Sequence, residues 1–194
     1  MGIKERRLRE IESQKTAILE ATRKLAIQKG WPDVSIRKIA DIIEYTPPVI
    51  YERFKNKEAI LIELESQGFR KLKYTIEEAR EQSNDPHEQL TLVSAAFWDW
   101  AFAHAELYQV MFNLQGVQST PPSPKSLRDS ANCVIEILRQ IHLFSSETEG
   151  LFFHWWSIVH GHVSLVMSGQ IGGMNSQMRR YMLNAVERFG KSLS

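Results

Sequence analysis

The chain has 194 residues, enough for one or two domains, and its 43% hydrophobic, 24% charged and 10% aromatic residues are typical of a globular protein. This composition excludes a disordered or collagen-like chain. The single cysteine, Cys133, excludes an internal disulfide, and the charged first residues lack the apolar segment of a secretory signal. We therefore expect a protein of the reducing cytoplasm.

Positive charge is concentrated in the first third of the chain. Residues 1–57 contain 13 Lys and Arg against 8 Asp and Glu, whereas residues 58–194 contain 11 against 15, and the net charge of +1 hides this difference. Unless the asymmetry is chance, it indicates that the N-terminal region binds a polyanion and that the remainder has another role.

Apolar residues follow helical spacing along nearly the whole chain, and no alternating run bounded by hairpin turns appears. We predict an all-α fold of about nine helices. In chain order they cover approximately 12–29, 36–44, 47–53, 57–82, 86–101, 106–114, 126–143, 147–168 and 175–190. The proline-rich segment 115–125 has no periodicity and is predicted to be a mobile loop.

Several predicted helices begin at residues suited to capping. Ser35, Thr46 and Asn56 each precede a helix and can accept a hydrogen bond from its first turn. Asp85 and Glu88 are spaced as a capping box around an N-terminal proline.

Two very short helices joined by a tight turn, after a longer helix, are typical of a helix-turn-helix, whose second helix enters the major groove of DNA. The segment IRKIADIIEYTPPVIYERFKNKEAIL, residues 36–61, resembles the DNA-binding motif of the TetR/AcrR family of transcriptional regulators. The residues that match the motif in register are Ile39, Ala40, Thr46, Ile50, Tyr51, Phe54, Lys57, Glu58 and Leu61.

This resemblance implies two domains. An N-terminal three-helix helix-turn-helix domain, residues 1–57, is joined to a larger helical domain, residues 58–194, for ligand binding and dimerisation. Three features depart from the motif: Glu44 replaces the usual turn glycine, Pro47 and Pro48 open the recognition helix, and Arg53 occupies a position where an aromatic is common. A non-glycine residue in a turn that needs positive φ carries strain, which a wider turn would avoid.

We predict DNA contacts at both helices of the motif and at the start of the next one. These residues are Ser35, Arg37, Tyr45, Thr46, Pro47, Pro48, Tyr51, Arg53 and Lys57. The prolines have no side-chain donor and can offer only apolar contact to thymine methyl groups. A lysine at a helix start is unfavourable for the helix dipole unless a phosphate lies nearby.

Each of these contacts has a structural alternative. The hydroxyls of Ser35 and Thr46 can cap helices, with or without a phosphate contact. By the resemblance Tyr51 contacts the DNA backbone, but it could instead pack in the core, and Arg37 and Arg53 could be solvated charges. The basic residues Lys4, Arg6, Arg7 and Arg9 either follow DNA phosphates or form a solvated start to the first helix.

The C-terminal region is rich in aromatic residues, which indicates either a pocket for an apolar or aromatic small molecule or a packed core. Asp99 interrupts one aromatic helix, either as a buried acid facing that pocket or at an exposed edge. The residues predicted to line the pocket are Phe97, Trp98, Phe102, Phe112, Trp155 and His160.

The segment HWWSIVHGHVSLVMSG, residues 154–169, resembles a W-H-G signature found in one subgroup of TetR-family ligand-binding domains. Trp155 or Trp156, His160 and Gly161 carry that resemblance. Small residues on this helix and a stripe on the last one predict a homodimer, although the last helix could simply close its own domain. The predicted interface residues are Ser157, Gly161, Ser164, Tyr181, Met182, Ala185 and Phe189.

Other functional classes are disfavoured. The uncharged stretch 150–178 contains histidines, serines and glycines that would be costly in lipid, so we predict a helix enclosed by protein. His154, His160 and His162 do not share one helical face, and we expect neither a metal nor a cofactor. The sequence contains no motif for an activated nucleophile or a phosphate-binding loop, so it does not indicate an enzyme.

The sequence therefore predicts a homodimeric, sequence-specific DNA-binding regulator. We expect a repressor that an unknown small apolar or aromatic effector releases from its operator. The alternative is a regulator whose C-terminal domain only dimerises or binds a protein partner.

Overall fold

The computed structural model describes residues 2–117, 124–142, 147–171 and 173–193. Over these ranges the chain is all-α, as predicted, with nine α-helices and one short 3-10 helix at Trp31–Asp33. The α-helices are α1 (Ile3–Lys29), α2 (Ile36–Ile42), α3 (Pro47–Tyr51), α4 (Lys57–Arg80), α5 (Pro86–Ala103), α6 (Ala105–Met111), α7 (Pro124–Ile141), α8 (Thr148–Met167) and α9 (Asn175–Lys191). Residues 118–123 of the predicted loop lie outside the described residues.

Internal contacts divide the chain into two compact units. The first comprises Met1–Ser66 and Glu106–Pro121, and the second comprises Gln67–Ala105 and Pro122–Ser194. The chain thus passes into the second unit along α4 and returns to the first unit at α6. These units reflect contacts within the chain. The boundary at residue 57 between a DNA-binding domain and a ligand-binding domain stays a prediction.

The first unit is built around the buried face of α1. This helix packs against the 3-10 helix and α2, and α2 packs against α3. Ile18, Ile39, Ile50 and Ile60 are fully buried and come from four different helices. Burial of such side chains contributes about 1.5–3 kcal/mol each, so these contacts fix the short helices α2 and α3, which would not be stable alone.

The N-terminal end of α1 differs from the prediction. The apolar pattern begins near residue 12, but the helix begins at Ile3, and the Gly2 amide donates to Glu5 Oε2 over 3.2 Å. No helix-breaking residue lies between Ile3 and residue 12. Because the packed part of α1 has already formed a helical nucleus, adding further turns costs little.

The second unit is a helical bundle with α5 at its centre. Helix α5 contacts α7, α8 and α9, while α8 also contacts α7 and α9. Phe97, Val159, Val163 and Met182 are fully buried in this core. The buried indole of Trp155 donates to Ser94 Oγ over 2.8 Å, so its only polar atom is satisfied.

Most of the predicted caps are confirmed. Ser35 Oγ accepts from the Lys38 amide over 3.3 Å, Asn56 Oδ1 accepts from the Ala59 amide over 2.9 Å, and Asp85 Oδ1 accepts from the His87 amide over 3.0 Å.

The predicted capping box at Asp85 is wrong. Instead of returning to the Asp85 amide, the Glu88 carboxylate accepts from the Ser83 hydroxyl over 2.6 Å. The Asp85 amide donates to the same hydroxyl oxygen over 3.1 Å. Ser83 therefore bridges the two groups that a capping box would join directly.

Thr46 precedes α3 as predicted, but its hydroxyl makes no capping hydrogen bond. The first two residues of the helix, Pro47 and Pro48, have no amide hydrogen. The next amide, that of Val49, donates to the Thr46 carbonyl over 3.0 Å. The Thr46 hydroxyl is consequently not needed by the helix.

The turn between α2 and α3 uses the left-handed backbone conformation that favours glycine. Glu44 has φ of 56°. A side chain in this region costs roughly 1–2 kcal/mol, so the strain expected from the missing glycine is present. The buried residues on both sides of the turn, Ile39 and Ile50, hold it in place.

Two exclusions from the sequence can be compared with the structure. Over the described ranges, no helix combines the length and apolar character needed to cross a membrane. The same part of the chain contains no group of three or more His, Cys, Asp or Glu side chains arranged to hold a metal ion.

Candidate functional site

Helices α2 and α3 have one face in the core and one in solvent. Arg37, Tyr45, Thr46 and Pro48 are exposed, and Pro47 is half-buried. The buried side chains of both helices point the other way. The structure therefore places the side chains predicted for the major groove on a free surface, next to the start of α3.

Tyr51 lies on the surface. Its side chain is 53% exposed, whereas its neighbour Ile50 is fully buried and Phe54 is largely buried. The alternative that Tyr51 is a core aromatic is therefore wrong, and its hydroxyl is accessible to a phosphate oxygen.

We expect the substitution Tyr51→Phe to weaken DNA binding by about 1 kcal/mol, roughly fivefold in Kd, because one hydrogen bond is removed. The melting temperature should stay unchanged, since the exposed hydroxyl takes no part in the core. Fluorescence anisotropy with a labelled duplex and a thermal melt of the same sample measure both quantities. Equal affinity of the variant and the original protein would remove Tyr51 from the interface.

Lys57 is the first residue of α4 and is half-buried. Burial lowers the pKa of its ammonium group. Positive charge at a helix start is also opposed by the helix dipole, so an external anion would stabilise this side chain. Lys57 lies at the edge of an open cleft of about 470 Å³ in the first unit, lined also by Trp31, Pro32, Glu58, Leu61, Gly116 and Val117.

Arg53 is engaged within the protein. Its Nε donates to Gln14 Oε1 over 2.7 Å, its guanidinium lies 3.5 Å from the Glu52 carboxylate, and its side chain is only 19% exposed. These contacts join the end of α3 to α1, so we assign Arg53 a positioning role and leave it out of the proposed DNA surface. Ser35 likewise serves its helix as a cap.

A partly buried ion pair, which the sequence did not reveal, fastens α6 to α1 within the first unit. Arg23 donates to Glu106 Oε1 from Nε over 3.0 Å and from Nη2 over 2.7 Å. The Trp31 indole donates to the Glu106 carbonyl over 3.2 Å. The two charged partners are 83 positions apart, and no local pattern connects them.

Five of the six residues predicted to line a ligand pocket belong to the second unit, and Phe112 belongs to the first, where it packs on Tyr108. Phe97, Trp98 and Trp155 are buried core residues. Phe102 packs on Trp98 with ring centroids 4.7 Å apart. None of the six lines the cleft beside Lys57 or an open groove of about 590 Å³ between the start of α5 and the end of α9.

His160 belongs to an aromatic cluster of the second unit. Its ring stacks on Trp156 with centroids 4.9 Å apart and planes 8° apart, and Trp156 meets the edge of Phe97 at 5.5 Å. The Nε2 atom of His160 lies 3.2 Å from Ser164 Oγ. Burial lowers the pKa of His160 below its ordinary value of 6.5, because the charged form is poorly solvated there.

This shift makes the free energy of unfolding depend on pH. The unfolded chain takes up a proton near pH 6.5 and the folded chain only at lower pH, so stability is full above about 6.5 and falls as the pH drops. When the pH is lowered from about 7.5 to about 5.5, we expect the melting temperature of the His160→Gln variant to fall less than that of the original protein. His154→Gln, at an exposed histidine of the same helix, is the matched control because it leaves His160 in place. Equal losses in all three proteins would contradict this role of His160.

Asp99 lies on the solvent-exposed side of α5. Its carboxylate is 60% exposed and accepts two hydrogen bonds from Arg179 of α9, at 2.9 and 2.8 Å. The alternative of a buried acid facing a ligand pocket is therefore wrong.

The small residues of α8 lie on a surface opposite the core. Ser157 is exposed, Gly161 and Ser164 are half-buried, and Val159 and Val163 on the other face are fully buried. A Cβ added to Gly161 would meet no atom within 4 Å. Nearby positions on this surface of α8 carry two exposed apolar side chains, Phe153 and Leu165.

One predicted interface residue on α9 must be corrected. Met182 is fully buried in its own unit, as is Val186 one turn later, so it is not available to a second subunit. Tyr181 is exposed, and Ala185 and Phe189 are half-buried. One face of α9 therefore packs within its own unit, Tyr181 lies on its exposed side, and the interface on α9 stays a prediction.

Comparisons with known proteins agree with this arrangement. Residues 18–64 match the family model described as bacterial regulatory proteins, tetR family, and residues 90–189 match the model described as tetracyclin repressor-like, C-terminal domain. The comparison with curated proteins gives no match.

Several solved structures share the fold. A protein of unknown function from Rhodococcus sp. RHA1 is similar with a TM-score of 0.76 and 17% identity over 92% of this chain and 94% of that chain. The TetR family transcriptional regulator PfmR from Thermus thermophilus has a TM-score of 0.66 and 22% identity over 88% and 97%. The fatty acid degradation regulator FadR from Bacillus halodurans has a TM-score of 0.66 and 16% identity over 87% and 97%.

The helix-turn-helix with its exposed recognition face defines a DNA-binding transcription regulator. The matched models extend along most of the chain, which belongs to the TetR family of bacterial transcriptional regulators. Regulators of this family bind operator DNA and dimerise.

Proposed function

We propose that this protein is a homodimeric repressor that an apolar or aromatic small molecule releases from its operator. The observation that carries the DNA-binding part is one exposed surface, whose residues are Arg37, Tyr45, Thr46, Pro48 and Tyr51. Lys57, a few residues further along the chain, begins a helix whose dipole opposes its positive charge. Pro47 contributes apolar contact at the same helix start.

In this proposal one group of residues contacts the DNA backbone and another contacts the bases. Arg37, Tyr51 and Lys57 bind backbone phosphates, which supply affinity that depends strongly on salt. The first turn of α3 meets the base edges. Because Pro47 and Pro48 lack donors, discrimination there depends on thymine methyl groups, on Thr46 and on bridging water.

Dimerisation uses the free faces of α8 and α9. Ser157, Gly161 and Ser164 allow a second helix to approach closely, and Phe153 and Tyr181 add apolar area. A two-fold axis through these helices would pair each with its copy and make a four-helix interface. Two recognition helices can then bind a palindrome with half-sites about 34–36 Å apart, or a multiple of that spacing.

The effector would bind in the second unit beside the aromatic cluster of Trp156 and His160. Both rings are only half-buried, and their stacked faces are suited to a planar apolar molecule. Binding changes DNA affinity only if the effector prefers one arrangement of the protein over another. Helix α4, which belongs to both units, and the α6 segment held by Glu106 are the covalent routes for that change.

One observation favours a second candidate function, in which the C-terminal region only dimerises or binds a protein. Phe97, Trp98 and Trp155 are buried by other side chains of the unit, as in a filled core. In that case no small molecule would alter DNA binding.

Tryptophan fluorescence separates the two candidates. An apolar effector that binds next to Trp156 should quench fluorescence and weaken DNA binding, and the duplex should weaken effector binding by the same factor, typically about 5- to 150-fold. The measurement is a fluorescence titration of an apolar aromatic compound library with and without duplex. Quenching that leaves DNA affinity unchanged would indicate a passive pocket and favour the second candidate.

A further inference from the structure

The N-terminal part of α1 extends beyond the packed body of the first unit. The buried face of this helix begins at Ile18, while residues 4–10 are all exposed and Leu8 is 66% exposed. We call residues 3–13 the N-terminal arm. At 1.5 Å per residue these 11 residues span about 16 Å of helix, in which residues 4–10, 12 and 13 are exposed and Ile11 is half-buried.

The charges of residues 4–15, which are the arm and the two residues that follow it, are sorted by helix face. At about 100° per residue, one helix face roughly 120° wide contains no acidic residue, and its members are Lys4, Arg7, Leu8, Ile11, Gln14 and Lys15. We call this set the basic stripe. The acidic residues Glu5, Glu10 and Glu12 lie on other faces, together with Arg6 and Arg9.

The basic stripe is aligned with the helix-turn-helix. Continued by the same spacing, it leads into Ile18, Thr22 and Leu25, the residues with which α1 packs on the rest of the first unit. Gln14, within the stripe, accepts a hydrogen bond from Arg53 at the end of α3. The stripe therefore reaches the end of α3 through Gln14 and runs from there toward the start of α1.

We propose that the basic stripe binds the phosphate backbone of the DNA that flanks the recognition site. The inference rests on the proposed DNA-binding function and adds a second contact region to it. Charge complementarity selects this partner: Lys4, Arg7 and Lys15 present three positive charges on one continuous face, and a duplex presents one negative charge per about 1.7 Å of its axis. Each arm thereby lengthens the footprint of its subunit beyond the bases contacted by α3.

The test uses paired variants with the same change in charge. Lys4→Gln/Arg7→Gln removes two charges from the basic stripe, and Arg6→Gln/Arg9→Gln removes two from the other faces of the same helical turns. Glutamine is a good helix former, so α1 is retained in both. The probe is a duplex selected by the original protein from random-sequence DNA, in one form with long flanks and in another trimmed to the selected bases, and Kd is measured over a series of NaCl concentrations.

The stripe variant should bind the long duplex about tenfold or more weakly, with a slope of log K against log salt reduced by up to about 3.6, because a dimer then neutralises four fewer phosphates. The control variant should keep most of the affinity and slope, and on the trimmed duplex all three proteins should bind alike. Equal losses in both variants, or none in either, would overturn the proposal. Self-association of the original protein beyond a dimer that Leu8→Ser abolishes, with DNA binding unchanged, would also overturn it by identifying a second copy as the partner. Failure of the original protein to bind any duplex would instead contradict the proposed function itself.

Discussion

We expect the substitution Gly161→Leu to give a folded monomer whose operator affinity is at least about 100-fold weaker, because each subunit then binds one half-site without the second. A Cβ added at this position comes within 4 Å of no neighbouring atom outside its own stretch of helix, so the fold should tolerate a side chain there. Leucine is also a better helix former than glycine, by somewhat less than about 1 kcal/mol, which favours α8. In a dimer built on the small residues of α8, however, the leucine would keep the two helices apart.

Ala103→Leu is the matched control, since it adds an apolar side chain at an exposed position of α5, a helix outside the proposed interface. Light scattering gives the mass of each variant, and anisotropy with a two-half-site duplex gives its affinity. A Gly161→Leu protein that remained dimeric and bound the duplex normally would show that the subunits pair through another surface.

We expect Glu106→Gln to lower the free energy of unfolding by about 1–3 kcal/mol, which is a large change for a substitution that preserves shape. The Glu106 side chain is only 6% exposed, and its carboxylate is the acceptor for two hydrogen bonds from Arg23. Without the negative charge, the half-buried guanidinium loses its counter-ion. Because Arg23 is 25% exposed, water compensates part of that loss, and we place the effect below that of a fully buried pair.

Asp33→Asn provides the comparison, because it breaks the exposed pair between Asp33 and Lys38 and should cost less than about 1 kcal/mol. Urea unfolding of both variants, and of Arg23→Met alone and combined with Glu106→Gln, gives the coupling energy of the pair. If Glu106→Gln and Asp33→Asn were equally stable, the ion pair would not be what holds the α6 segment on the first unit.

Local signals predicted the helix-turn-helix well. Ser35 and Asn56 cap the helices that follow them, and Pro47 begins α3, because capping and the fixed φ of proline act within a few residues. The strained turn at Glu44 could also be anticipated, since the family motif has glycine there and the structure keeps the positive φ.

Features that depend on distant partners could not be predicted. Arg53 is held by Gln14, 39 positions away, and Asp99 by Arg179, 80 positions away. The local sequence pattern therefore could not show whether Arg53 is free to contact DNA or whether Asp99 is buried. On α9, periodicity identified an apolar stripe but not which neighbour covers it. Met182 faces the protomer core while Tyr181 beside it faces solvent, a distinction that depends on where α5 and α8 lie.

Operator binding is tested most directly by selecting DNA from random-sequence duplexes with the purified protein and measuring the affinity of the selected sequence. We predict an enriched palindrome whose half-sites are about one helical turn, or a multiple of it, apart, bound far more tightly than unselected DNA. We further predict that Lys57→Ala lowers the slope of log K against log salt by roughly 0.9 for each phosphate that the protein no longer neutralises. No enriched sequence, or equal affinity for selected and unselected duplexes, would contradict the claim that this protein is an operator-binding regulator.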